Sequence, residues 1–264
     1  MSLSKDINTG FSCYGKAIGF IFKHNLWWFF IFPILLNLLL FFGGFALIDS
    51  FTDLAREWAL NAAGIENSTS FLGKLFSGIL SGLLWITFKV MFFLLFAYLG
   101  GYIIVVLLSP VMAFLSEKTE KITTGKNYPF NADRFARDIM RGVLIAARNF
   151  SIELLWMIAM FILSFIPVIG WLTTVVLFIV SSYFYGFSFA DYNNERKQLS
   201  ISQSVAWMRK HKGMAIANGS VFSLLLIVPF CGTTLSGFAA IISVVAATLS
   251  VFEIDQREAG QAGT

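Results

Sequence analysis

The sequence predicts an all-α integral membrane protein. Two long transmembrane helices are followed by two helical hairpins whose Pro-x-x-Gly tips lie within the bilayer or at its far edge. Three observations predict this. The 264 residues are 57% hydrophobic and 13% charged, with a mean hydropathy of +0.76, whereas soluble domains carry about 25% charged residues. The apolar runs are too long and uniform for the alternating strands of a barrel, which leaves helices as the spanning solution. Finally, one helix-breaking device occurs twice inside such runs, as Phe165-Ile166-Pro167-Val168-Ile169-Gly170-Trp171 and as Ile227-Val228-Pro229-Phe230-Cys231-Gly232. Pro and Gly at this spacing end a helix and supply a reversal. A reversal in water normally carries Asn, Asp or Ser as well, but here the residues around it are apolar.

Residues 1–25 form an interfacial segment. Ile7, Phe11, Tyr14, Ile18 and Ile21 fall on one stripe of a helix, with Asn8, Ser12, Lys16 and Lys23 outside it. A helix lying on the membrane surface fits best, and packing against another helix is the alternative. Residues 26–48 are apolar for 23 positions, enough to cross roughly 30 Å of hydrocarbon with some tilt. Trp27 and Trp28 suit an interfacial belt. Asn37 is the strongly polar side chain of this span and is expected to face another helix.

Residues 49–74 read as a polar connection with a short helix over 51–62. The run 75–108 has 34 residues interrupted only by Lys89. At 1.5 Å per residue it is roughly 51 Å long, so it tilts, bends near Gly100-Gly101, or projects beyond the membrane. Lys89 either snorkels to the interface or lines a polar path. Ser109-Pro110 is expected to end this helix, and 109–142 to form cytoplasmic helices around a turn at Gly125-Lys126-Asn127. Hairpin 1 follows over 143–190, a basic segment over 191–213, and hairpin 2 over 214–252. The arm 214–228 spans about 22 Å, short for a full crossing, so the second hairpin is expected to penetrate only partly.

Lys and Arg set the orientation. The N-terminal segment has three, 49–74 has two against four acids, 109–142 has six and 191–213 has five. Both termini are therefore expected in the cytoplasm, and each hairpin enters and leaves from that side. This distribution also explains the net charge of +4 without nucleic acid as a partner. Cys13 and Cys231 lie in different environments, no Cys/His cluster has metal spacing, and neither a cofactor motif nor a nucleophile–base set is present. The sequence does not read as an enzyme.

The outgoing arms begin Gly170-Trp171-Leu172-Thr173-Thr174 and Gly232-Thr233-Thr234-Leu235-Ser236. Each offers free N–H groups, the positive end of a helix dipole and two hydroxyls. Such starts bind anions in broken-helix transporters, although Thr at a helix start also serves as a cap. Arg148 and Glu153 are further charges near the start of hairpin 1 and, with Lys89, candidates to line a pathway. Arg141, Arg148, Arg196, Arg209, Lys210 and Lys212 could form one basic cytoplasmic surface, explained by topology or by lipid headgroups.

Along nearly its whole length the chain resembles the CysZ-type sulfate permeases within the etoposide-induced-protein family. The resembling pieces are Phe32-Pro33-Ile34-Leu35-Leu36-Asn37, Ser109-Pro110 with Glu117-Lys118-Thr119-Glu120 and Thr124-Gly125, Ile166-Pro167-Val168-Ile169-Gly170, Ala190-Asp191-Tyr192, and Arg209-Lys210-His211-Lys212 before Val228-Pro229. The resemblance implies two long transmembrane helices, two membrane-penetrating hairpins, a bacterial inner-membrane location, a homo-oligomer forming the pathway, and sulfate uptake for cysteine synthesis. It places substrate contacts near Asn25, Trp27, Trp28 and Asn37. One departure stands out. Family members tend to carry an arginine pair, suited to a dianion, where this chain has Trp27-Trp28, and the nearest cations in sequence are Lys23 and His24. Two expectations follow: a permease for sulfate or a related small oxyanion, or a membrane-organising protein that holds membrane lipids and transports nothing.

Overall fold

The computed structural model describes residues 3–62, 71–126, 132–166, 169–228 and 231–262. Among them every regular element is helical. The helices are α1 (Leu3–Lys23), α2 (Ile31–Ala62, after a 3-10 turn at Trp27–Phe30), α3 (Phe71–Thr124), α4 (Ala132–Ser164), α5 (Ile169–Arg196), α6 (Ile201–Lys210), α7 (Lys212–Leu226) and α8 (Cys231–Ala262). Four stretches among the described residues are long and apolar enough to cross a membrane: Trp27–Ala62, Met140–Ser164, Gly170–Arg196 and Leu235–Gln261. α7, at 15 residues, is apolar but shorter. The chain forms two compact units, Met1–Pro33 with Val105–Thr264, and Ile34–Ile104.

In the Ile34–Ile104 unit, α2 and α3 run antiparallel. The Lys89 ammonium meets Asp49 at 2.9 Å, Arg56 donates to Ser81 at 2.7 Å, and the Phe51 and Phe92 rings lie 5.9 Å apart. The helix expected to stop at residue 48 continues to Ala62. Its polar residues are absorbed locally: Ser50 and Thr52 donate to the carbonyls of Ala46 and Ile48 one turn back.

Pro110 does not end α3, which runs unbroken for 54 residues to Thr124. Proline removes one N–H and disfavours the turn before it, but packing outweighs that penalty here. Leu108, Met112, Leu115, Ser116 and Thr119 recur at helical spacing beyond and around it, and all are buried. The helix stops at Gly125, whose φ of 75° gives the left-handed cap that glycine adopts without strain.

The larger unit is organised around α7, on which Met214, Ala215, Ala217, Asn218 and Phe222 are essentially inaccessible. α5 crosses it at backbone contact. A Cβ on Gly186 would lie 1.9 Å from the Ala215 carbonyl oxygen, and one on Gly219 would lie 1.8 Å from that of Ser182. Two small-xxx-small pairs, Ser182/Gly186 and Ala215/Gly219, thus face each other, the arrangement that lets apolar helices approach closely in lipid. α1 packs against α7 and α8 through Gly10, Cys13, Tyr14, Ala17 and Ile21. Phe11, Ile18 and Phe22 remain exposed beside that seam. The predicted stripe is therefore split: Tyr14 and Ile21 enter the core and Phe11 and Ile18 stay outside.

α4 ends at Ser164 and α5 begins at Ile169; α7 ends at Leu226 and α8 begins at Cys231. Phe165, Ile166, Trp171, Ile227 and Val228 around these breaks are exposed apolar side chains. Pro167 and Pro229 lie outside the described residues.

Candidate functional site

The segment joining α1 to α2 is a tight elbow. Asn25 adopts φ 55°, a left-handed conformation that Asn tolerates better than most side chains, and Leu26 and Phe29 are fully buried behind it. Trp27 is 53% exposed. Trp28 is half-buried against Phe29 and Phe32, with ring centroids 4.1 and 5.6 Å away. The Lys118 ammonium of α3 lies 5.4 Å from the Trp28 ring and 6.0 Å from Phe29, inside cation–π range. Sequence order separates Lys118 from the tryptophans by some ninety residues, so only the fold reveals this cation. Asn37 is half-buried further along α2.

At the start of α5, Thr173 is buried and donates to the Gly170 carbonyl at 2.6 Å, while Thr174 is exposed. The Thr173 hydroxyl proton is thus committed to its own helix. Gly170 donates its N–H to the Ile166 carbonyl at 3.1 Å, and a Cβ there would lie 2.9 Å from the Ser164 oxygen, so the turn has no room for a side chain. Gly232 lies in the first turn of α8; the side chains of Thr233 and Thr234 fall outside the described residues. Glu153 is buried on α4 and accepts from Ser181 of α5 at 2.5 Å. Arg148 donates to the Asn149 amide oxygen at 2.9 Å. Lys89 is held by Asp49 and lies 4.4 Å from the Trp85 ring.

The six cations read as one basic surface divide into two classes. Arg141 pairs with Asp191 at 3.3 Å, Arg196 with Glu120 at 2.6 Å and Lys210 with Glu258 at 2.6 Å. Arg148, Arg209 and Lys212 have no carboxylate partner among the described residues.

Three buried polar networks escaped the sequence reading. Arg196 of α5 also donates to Ser116 of α3 and to Asn193, and Ser116 and Asn193 both reach Thr248 of α8. A shallow cleft opens beside this set, lined by Glu120, Thr123, Asn193, Lys197, Thr248 and Asp255. Asp191 accepts from Ser204 of α6, which also receives a hydrogen bond from Asn194. His211, at the joint of α6 and α7, has Nδ1 3.1 Å from Asp6 and Nε2 3.3 Å from Glu258; Arg257 reaches Asp6 and Thr9. The first and third networks join residues far apart in sequence, and the one local signal was charge at the helix ends. On α1, burial pushes the Cys13 thiol and the Tyr14 hydroxyl above their ordinary pKa values. Tyr14 is hydrogen-bonded to Ser243. Among the described residues no group of three or more His, Cys, Asp or Glu could hold a metal ion.

Curated relatives span most of the chain. A protein of Pseudomonas fluorescens strain Pf0-1 named Sulfate transporter CysZ is 25% identical, covering 81% of this chain and 82% of its own length. Its namesake in Pectobacterium atrosepticum is 28% identical over 76% of this chain and 70% of its own. That of Pseudomonas aeruginosa PAO1 is 23% identical over 81% and 84%. The family described as Sulfate transporter CysZ/Etoposide-induced protein 2.4 matches residues 13–235, and the chain belongs to it.

Proposed function

We propose that this protein is a permease for sulfate or a related small oxyanion, embedded in a bacterial inner membrane with both termini cytoplasmic. It supplies sulfur for cysteine biosynthesis, works as a homo-oligomer, and uses no cofactor and no enzymatic step. The observation that carries this reading is the similarity to sulfate transporters over about four fifths of the chain. The membrane-length helices support it.

The Trp27-Trp28 departure bears on substrate recognition. Lys118 stands over Trp28 and Phe29 and would supply from α3 the positive charge that this elbow lacks in sequence. The aromatic rings partly desolvate the ammonium, which strengthens its attraction for an anion. The exposed Thr174 hydroxyl of α5 and the hydroxyls and N–H groups at the start of α8 would replace water around the anion further along.

Uptake of radiolabelled sulfate into proteoliposomes tests the reading, with sulfite and chloride as competitors. Saturable uptake blocked by sulfite and untouched by chloride is the expected result. Lys118→Gln should raise the KM for sulfate several-fold, as loss of one charge-assisted contact does, and Lys118→Arg should preserve it. Joint replacement of Thr173, Thr174, Thr233 and Thr234 by Val should abolish uptake; unchanged uptake would remove the arm starts from the pathway. The exposed Trp27, Phe11, Ile18 and Phe22 favour a second reading, a membrane-organising protein. Absence of uptake by folded, inserted protein would select it.

A further inference from the structure

His211 is the single residue between α6 and α7. Its backbone is bonded in both directions: its N–H donates to the Trp207 carbonyl at 3.1 Å, and its own carbonyl accepts from Met214 at 3.0 Å. The ring therefore has a fixed place. It is wholly inaccessible, with the Trp207 ring 4.5 Å away. The start of α1 is pressed against the start of α7, where a Cβ on Gly213 would lie 2.7 Å from the Leu3 carbonyl oxygen. That approach brings Asp6 to one ring nitrogen, and the end of α8 brings Glu258 to the other.

Asp6 lies 3.1 Å from Nδ1 and Glu258 lies 3.3 Å from Nε2. A neutral imidazole has one N–H and one lone pair, whereas an imidazolium has two N–H groups. Only the charged ring can therefore donate to both carboxylates. With one proton, one nitrogen turns a lone pair toward a carboxylate oxygen, and burial decides which. Asp6 is 2% exposed and cannot turn to water. The Glu258 side chain is 28% exposed and has the Lys210 ammonium 2.6 Å from the same oxygen. Asp6 thus keeps the Nδ1 proton, and Nε2 is the buried nitrogen that makes no hydrogen bond. The other charges around the ring stand one layer back. Arg257 of α8 reaches Asp6 at 3.4 Å and Thr9 at 2.9 Å. Lys197 of α5 lies 5.3 Å from the Trp207 ring and pairs with Asp255, and Arg209 and Lys212 are exposed.

We propose that His211 is a proton-operated latch on the last turns of α8. As imidazolium it donates to Asp6 and Glu258 together and closes the α6–α7 joint onto α8. When the Nε2 proton leaves to water past the partly exposed Glu258, a lone pair faces the carboxylate. Glu258 then follows Lys210 outward and the contact opens. Arg257 still ties α8 to Asp6, so the opening is confined to the end of α8. The stability that the Glu258 contact contributes is present at low pH and lost as pH rises through the titration of His211. The latch is separate from the tryptophan elbow and the arm starts, and it does not depend on which anion is carried.

The test uses purified full-length protein in an uncharged detergent. The chain has two histidines, so His24→Gln protein with isotopically labelled histidine gives one imidazole signal. Its nitrogen shifts, followed by NMR from about pH 5 to 9, report the charge on His211. Hydrogen–deuterium exchange of residues 254–262, corrected for the intrinsic rate, reads the latch. Exchange there should quicken about tenfold across the midpoint found by NMR, as loss of one hydrogen bond to a charged group does, while 214–222 should show no such step. Glu258→Gln should abolish the step. An amide offers its oxygen to Nε2–H or its N–H to the bare nitrogen, so that contact survives in both forms. Glu258 is partly exposed, and replacing it leaves the buried ring and Asp6 in place. The proposal is overturned if His211 keeps one charge state over that range. It is equally overturned if exchange shows no step at the His211 midpoint, or if Glu258→Gln protein retains the step.

Discussion

At the scale of single residues, burial decides reactivity and stability. Cys13 is wholly inaccessible on the face of α1 that meets α7 and α8, and burial raises its thiol pKa. The thiolate is the reactive species, so raising the pKa lowers its fraction at any working pH. In a Cys231→Ser background, maleimide labelling of Cys13 should be negligible in the folded protein and rapid after denaturation; fast labelling of folded protein would contradict the packing of α1. Arg196 offers a second test. Its side chain and that of Glu120 are both mostly buried, 2.6 Å apart, and breaking a buried ion pair on one side costs about 3–5 kcal/mol. Arg196→Gln should lower the melting temperature in detergent by many degrees, whereas Lys16→Gln, which breaks the exposed Lys16–Glu253 pair, should change it little.

At the scale of elements, the α5/α7 crossing is the feature on which the larger unit depends. Backbone meets backbone at Gly186 and Gly219, leaving no space for a methyl group. Gly186→Leu or Gly219→Val must push the helices apart and should abolish monodisperse folded protein on size-exclusion chromatography. Gly78→Ala and Gly142→Ala meet nothing within 4 Å and should be neutral or stabilising by about 0.5–1 kcal/mol, since alanine is the better helix former. A collapse caused by Gly142→Ala would show that crowding at Gly186 is not the deciding effect. The pairing of small residues four apart, Ser182/Gly186 and Ala215/Gly219, was present in the sequence as a pattern. Its meaning required knowing that these two helices cross there.

At the scale of the whole molecule, the clasp of Asp6, His211, Arg257 and Glu258 ties the start of α1 and the end of α8 to the α6–α7 joint. The start of α1 and the end of α8 are therefore held together at that joint. Cysteines at Ser4 and Ala262, in a Cys13→Ser/Cys231→Ser background, should label together with a membrane-impermeant maleimide. The abundance of Lys and Arg in 191–213 predicts the cytoplasmic side; labelling of one end in spheroplasts and the other only in inverted vesicles would refute this arrangement.

Composition and run length determined by themselves that the chain is helical and membrane-embedded, because lipid penalises unpaired backbone and polar surface wherever they fall in the sequence. The interruptions between Ser164 and Ile169 and between Leu226 and Cys231 fall where the sequence led one to expect a helix to end, whereas Gly170 and Gly232 lie in the first turns of the helices that follow. Only the tertiary structure decided that α3 continues through Pro110, since buried contacts from Leu108 to Thr119 outweigh one lost hydrogen bond. It also decided which face of α1 enters the core, where a seam of small residues fits α7 more closely than the apolar stripe does. The division of the basic residues into ion-paired and unpaired groups was likewise hidden. An ion pair joins residues scores of positions apart, and charge in a sequence does not name its partner.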